Sequence, residues 1–250
     1  MAGHSKFKNI QHRKGAQDAK RSKVFAKVAR EITVAVKEGG SEDQSMNPRL
    51  RGAIASAKSV NMPNSRIDSA IKAGMPGQGG ADYVEMRYEG YGPGGVAVIV
   101  DCLTDNKNRT ASDVRSAFTK YGGSMGETGS VAFSFDRAGV IIFDEKVAST
   151  DEIFEQAIEV GANDVLSEDG VHEIRTAVED FAKIREALTE KYGDPKESEL
   201  TWIPKNTIQL NESQAKSMLK FIDVLEDNDD VQKVSSNFDI SDELMEKLAE

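Results

Sequence analysis

The feature that most restricts this sequence is a change of hydrophobic period at PGQGG, Pro76 to Gly80. Before it, apolar residues recur at helical steps. Phe25, Val28, Ala29, Ile32 and Val36 form one stripe, closed by Gly39-Gly40. Asn47-Pro48 opens a second helix: Asn suits the N-cap, and Pro suits the first helical position, whose N–H has no partner. Leu50, Ile54, Ala57 and Val60 form its buried stripe, and Met62-Pro63 ends it. A third helix is predicted from Asn64 to Ala73, with Ile67, Ala70 and Ile71 inward and Gly74 at its C-terminus. Residues 1–80 therefore read as a basic arm (1–22) followed by a three-helix bundle.

After the linker the period is that of strands. Val84, Met86 and Tyr88 alternate with Glu85, Arg87 and Glu89, which predicts one buried face, and Val96–Leu103 reads as a central strand. Asn106–Tyr121 is helical, with Ala111, Val114, Phe118 and Tyr121 on one stripe, and Val131–Phe135 reads as a further strand. The pattern then restarts: a strand at Gly139–Phe143, a helix at Thr150–Gly161 with Ile153, Phe154, Ala157 and Ile158 inward, and two strands near Asp164–Ser167 and Val171–Ala177. A helix lined by Phe181, Ile184 and Leu188 and a strand at Leu200–Ile203 complete this group. The tail supplies a strand at Thr207–Leu210, a helix at Gln214–Leu225 and a strand at Val231–Phe238. The fold class expected is α+β. A discontinuous domain spans 81–137 with 205–250, and a second α+β domain, 138–204, is inserted in it.

The net charge of −10 is an average over two unlike parts. Residues 1–80 hold 15 Lys and Arg against 6 Asp and Glu, or +9; the remainder holds 17 against 36, or −19. Such a split points the first third at a polyanion, while the acidic remainder orients the contact by repulsion. Apolar runs are five or six residues long, far short of the ~20 of a membrane span. The opening MAGHSKFKNIQHRKG has no apolar stretch behind its positive charges, so no secretory signal is expected. Its lack of acids before Asp18 leaves a transit peptide as the alternative. With a single cysteine, Cys102, no intrachain disulfide forms, in keeping with a reducing, cytoplasmic setting.

YEGYGPGG, Tyr88–Gly95, fits G-x-G-x-x-G from Gly90 to Gly95. A dinucleotide loop needs a helix after it, because the helix N-terminus carries the phosphate. Here a β-branched run, Val96–Val100, follows, so the fingerprint is read as a hairpin loop from Gly90 to Gly95. The exposed-tip residues Tyr91, Gly92, Pro93 and Gly94 form a candidate contact loop, as does the turn Asn61, Met62 and Pro63. No catalytic constellation is found. His4, His12 and His172 lack zinc spacing, and no nucleophile elbow or Walker loop occurs. Cys102 reads as a small buried hydrophobe, and Asp227-Asn228-Asp229-Asp230 as a solvated loop with a cation site as the minor reading. No enzyme activity, metal, cofactor or small-molecule substrate is expected.

The candidate binding residues are Lys6, Lys8, Arg13, Lys14, Lys20, Arg21, Lys23 and Lys27, set against the single acid Asp18. Contacts of such residues to phosphates are sequence-neutral and salt-sensitive. Phe7, His4 and His12 interleave with them and suit stacking on unpaired bases.

AGHSK (Ala2–Lys6), HRK (His12–Lys14) and DAKR (Asp18–Arg21) resemble the opening of the YebC family. The resemblance continues through NMPNSRIDSAIKAG, YEGYGPGG, TDNKNRTASDVRSAF and GSVAFSFDRAG and spans essentially the whole chain. It departs at Phe7, where the family more often has tryptophan, which leaves less surface for stacking. A match from Met1 weakens the transit-peptide alternative. The resemblance implies a helical N-terminal domain and two ferredoxin-like domains, one interrupted by the other. It also implies a regulator of gene expression, for which two partners stand. Members are labelled probable transcriptional regulators that bind DNA; others are described as translation factors acting on the ribosome, where ribosomal RNA would be the partner and proline runs the substrate of relief.

Overall fold

The computed structural model describes residues 17–249. Two compact units emerge: one joins Gly15–Asp136 to Pro204–Glu250, and the other contains Arg137–Ile203. The fold is α+β.

The first unit begins with helices α1 (Gln17–Gly39), α2 (Pro48–Ser59) and α3 (Asn64–Gly74). Ile32, Val36, Leu50, Ile54 and Ile67 meet in their shared core. Local chemistry fixes the α1–α2 corner. The Asn47 side chain accepts from Leu50 N at 3.0 Å and donates to the carbonyls of Ala35 at 2.7 Å and Ser41 at 3.1 Å. One buried residue thus caps α2 and ties it to α1. The arm expected to run through residue 22 is helical from Gln17, although its first apolar contact comes at Phe25. A helix anchored by packing extends at small cost through Gln, Ala, Lys and Arg, which favour it.

The same unit holds a sheet in the order β3 (Ser124–Met125), β1 (Val84–Tyr91), β2 (Ala97–Thr104), β9 (Val231–Ser236). Each neighbouring pair is antiparallel, with Tyr88 opposite Val100 and Val98 opposite Ser236. Hence β2 and β3 run parallel with β1 between them, and α4 (Lys107–Lys120) joins them as a split β-α-β unit. Helix α7 (Glu212–Asp227) packs beside α4, where Phe118 and Phe221 meet edge to face at 4.8 Å. A parallel pair of short strands, β8 (Ile208–Gln209) and β10 (Phe238–Asp239), and a helix absent from the sequence reading, α8 (Asp242–Ala249), complete the unit.

Two expectations fail here for one reason. Glu89, placed on the solvent face of β1, is buried, and Val131–Phe135 is not a strand but encloses a 3₁₀ turn, Ala132–Ser134. The Glu89 carboxylate accepts from Val131 N at 3.0 Å and Ala132 N at 2.9 Å, so the main-chain donors of that segment bond a side chain instead of a strand.

The second unit reads β4 (Phe135–Asp144), α5 (Thr150–Glu159), β5 (Asp164–Glu168), β6 (Val171–Thr176), α6 (Phe181–Tyr192), β7 (Glu197–Pro204). Its sheet order, β5-β6-β4-β7, with that connectivity is the ferredoxin-like plan. Ile141, Phe143, Ile153, Ile174, Ile184 and Leu188 form the core. Phe154 and Ile158, expected inward, are 47% and 41% exposed. The inward stripe of α5 is Ile153 and Ala157, one position earlier, which turns the next pair outward by about 100°.

Candidate nucleic-acid interface

Of the predicted arm residues, Lys6, Phe7, Lys8, His12, Arg13 and Lys14 lie outside the described residues. Lys20 falls in the first turns of α1. Arg21, one turn before Phe25, places its guanidinium 5.5 Å from the Phe25 ring centroid. Arg66, from the first turn of α3, lies 5.5 Å from the same centroid. One ring thus lies beneath two cations, which its electron-rich π system attracts. Both arginines are exposed, and among the described residues neither forms an ion pair. Sequence reading missed Arg66. One local signal was present: α3 has no acid in its first turn and carries a cation there, against the helix dipole.

Lys23 and Lys27 have a different setting. Lys23 Nζ lies 2.9 Å from Asp227 Oδ1, and Lys27 Nζ donates to the Glu226 carbonyl at 2.6 Å, both at the C-terminal end of α7. One turn on, Arg30 Nη1 donates to Asp230 Oδ1 at 2.8 Å and to the Asp229 carbonyl at 2.6 Å. Burial lowers the Lys27 pKa, against the opposing pull of Glu226 and Asp229. A basic edge of α1 thereby closes on the negative end of α7.

The acidic loop is therefore not simply solvated. Asp230 is 3% exposed and also accepts from Arg109 Nη2 at 2.6 Å and Thr110 Oγ1 at 2.7 Å. Burial pushes its pKa up, but the hydrogen bonds from Arg109, Thr110 and Arg30 prevail and hold it below the ordinary aspartate value. No group of three or more His, Cys, Asp or Glu among the described residues is arranged to hold a metal ion.

Arg49 spans Glu31 at 2.8 Å and Glu85 at 2.6 Å and also meets Glu38. Lys37 pairs with Asp82. Subtracting these internal pairs leaves Arg21, Lys58, Arg66 and Lys72 as exposed cations of the bundle with no ion pair among the described residues. Lys58 and Arg66 bracket the Asn61-Met62-Pro63 turn in sequence. Within that turn Met62 is buried in the bundle core, while Asn61 and Pro63 are exposed, Asn61 in the left-handed region at φ 56°.

The glycine loop is tighter than expected. Strand β1 continues through Gly90 to Tyr91, and Pro93–Gly95 forms a 3₁₀ turn closed by Gly92 N donating to the Val96 carbonyl at 2.7 Å. A Cβ on Gly92 would lie 3.0 Å from Phe221 Cε1, and one on Gly94, at φ 76°, 2.8 Å from Leu210 Cδ2. Gly92 and Pro93 are buried, and Tyr91 is 41% exposed. The loop is glycine-rich because it packs on α7 and the segment before it.

Cys102 is buried in β2, and burial pushes its thiol pKa up to about 12. His172 is buried with both ring nitrogens occupied: Nδ1 faces Ser167 Oγ at 2.6 Å, and Nε2 the Ala148 carbonyl at 3.1 Å. That pattern is a satisfied core histidine.

A basic three-helix module joined to α+β domains defines the class of this protein. Residues 5–77 match the TACO1/YebC protein N-terminal domain, and residues 83–238 the TACO1/YebC second and third domain. The chain belongs to the TACO1/YebC family. It is 54% identical over 249 residues to a "probable transcriptional regulatory protein" of Rickettsia bellii, covering 99% of this chain and 97% of that one. It is 54% identical over 251 residues to another so named from Rickettsia typhi, covering 100% of both. The crystal structure of a conserved hypothetical protein from Aquifex aeolicus is similar at a TM-score of 0.83 and 44% identity, over 93% of this chain and 96% of that one.

Proposed function

We propose that this chain is a nucleic-acid-binding regulator of gene expression, without enzymatic activity, that works in the cytoplasm. The observation that carries the reading is the pair Arg21 and Arg66 on one Phe25 ring, at the exposed corner where α1 meets α3. The two guanidiniums arrive from helices far apart in sequence and are pre-positioned for phosphate, which arginine binds with two parallel hydrogen bonds. The arm residues Lys6, Phe7, Lys8, His12, Arg13, Lys14 and Lys20 would extend this contact along the same strand. The names of the relatives point to transcription and so to DNA.

A second reading, a translation factor on ribosomal RNA, draws support from the chemistry of the corner. It offers two arginine guanidiniums, which bind phosphate and stack on unpaired bases. Tyr91 and the Asn61–Pro63 turn would then be contact points.

Sedimentation of lysate through a sucrose gradient, with DNase or RNase, tests both. Heavy complexes lost on DNase treatment support the transcriptional reading. Co-migration with ribosomes that survives DNase supports the translational one. Sedimentation as a free protein in every condition overturns the proposal.

A further inference from the structure

The outward face of α4, outside the helical module, carries an exposed stripe of cations and hydroxyls. The stripe consists of Asn108, Ser112, Arg115, Ser116, Thr119 and Lys120 and, at the rise of a helix, runs about 18 Å. No acid lies on it. The single acid of α4, Asp113, is on the flank, where it accepts from Asn228 Nδ2 at 3.3 Å. Arg109, on the same flank, is spent on Asp105 and Asp230. Arg115 and Lys120 form no ion pair among the described residues, and Lys107 stands exposed at the start of the helix. Three of the other helices of the acidic part differ: α5 carries Asp151, Glu152, Glu155 and Glu159 with no base, and α7 and α8 have more acids than bases, while α6 mixes Lys183, Arg185 and Lys191 with Glu186 and Glu190. A cationic, hydroxyl-lined helix face within a region of net charge −19 is complementary to a polyanion.

The side chains select which polyanion. Serine and threonine hydroxyls are too short to reach into a deep groove. The minor groove of A-form RNA is wide and shallow and displays 2′-hydroxyls, which hydroxyl and amide groups can meet as donors or acceptors. B-DNA has no 2′-hydroxyl, and its bases are read in the major groove by longer forked side chains. We propose that the outward face of α4 docks on the minor groove of double-helical RNA, with Ser112, Ser116 and Asn108 on the 2′-hydroxyls and Arg115 and Lys120 on the flanking phosphates. This rests on the reading of the protein as a nucleic-acid binder and narrows its partner.

The test is fluorescence anisotropy of the full chain with a labelled 20-base-pair RNA duplex and a DNA duplex of the same sequence, at several salt concentrations. The wild-type chain should prefer RNA. Arg115→Glu with Lys120→Glu should weaken RNA binding at least tenfold and reduce the salt slope by about 2. Ser112→Ala with Ser116→Ala, which removes no charge, should erode the preference for RNA while leaving DNA binding unchanged. Thermal melting of each variant reports folding, and all four positions are exposed. If the α4 variants bind RNA as wild type while Arg66→Glu weakens it, the α4 docking surface is overturned and the nucleic-acid reading stands. Equal losses on RNA and DNA overturn the minor-groove assignment. A wild-type chain that binds neither duplex overturns both readings.

Discussion

Lys27 Nζ donates to the main-chain carbonyl of Glu226 at 2.6 Å, so a lysine from the basic third of the chain is committed to the end of α7. Its neighbour Lys23 donates to both the carboxylate of Asp227, at 2.9 Å, and its main-chain carbonyl, at 3.2 Å. The cations of α1 thus divide between an edge that holds the protein together and a corner that faces out. Lys27→Met should change nucleic-acid affinity by no more than about twofold, whereas Arg66→Ala should weaken it across all sequences and lower the salt slope by about 1. Filter binding at three salt concentrations separates the two outcomes.

Asp230 takes charged hydrogen bonds from Arg30 and Arg109, side chains of different helices. Its pKa is lower in the folded protein than in the unfolded chain. The stability it contributes is therefore complete above the ordinary aspartate pKa and is lost as pH falls through the lowered folded value. Asp230→Ala should cost about 3 kcal/mol at neutral pH by leaving the mostly buried Arg30 without its carboxylate and Arg109 with Asp105 alone. Asp230→Asn should flatten the acid limb of a plot of Tm against pH; an unchanged limb would assign it to other carboxylates.

Gly92 and Tyr91 are adjacent, yet they test different things. Gly92→Ala drives a methyl group against Phe221 and Met218 and should cost about 1–3 kcal/mol through overpacking. Tyr91→Ala alters a half-exposed side chain and should shift stability little. Any loss of regulatory activity in Tyr91→Ala at unchanged Tm then belongs to contact. Loss in Gly92→Ala would be confounded by folding.

Cys102 should be inert. With its thiol pKa near 12 and its side chain buried, no appreciable thiolate exists at pH 8. Ellman's reagent should label it only in denaturant; labelling of the native protein at the rate of a free thiol would contradict its burial.

The helical bundle was legible in the sequence because its signals are local. The period of α1 and the Asn47-Pro48 cap are read within a few residues, and Asn47 indeed accepts from Leu50 N. The succession of strands and helices in the second unit likewise follows from short alternating runs, whereas its ferredoxin-like plan was implied by the family resemblance. What escaped depends on distant partners. Glu89 looked like a solvent-facing residue because the N–H groups it binds belong to Val131 and Ala132. Lys23, Lys27 and Arg66 have similar sequence surroundings, and only the packing of α7 and α3 against α1 separates cations engaged internally from those left outward. Phe154 went wrong by a single helical step, a smaller error than the uncertainty of any phase read from ten residues.

The central strand β2 pairs on one side with β9, so Val98 meets Ser236 only after all of the second unit has been made. At a synthesis rate of about 5–20 residues per second, the interval between the two strands is on the order of ten seconds. During that time an apolar strand, Ala97–Thr104, has one edge unpaired, and Arg30 and Arg109 wait for a carboxylate not yet synthesised. Residues 137–203 are contiguous and can close their own sheet in the meantime. The order of emergence makes the nascent chain dependent on residues 204–249, and truncations that remove β9 should aggregate even though the helical module ahead of them is complete.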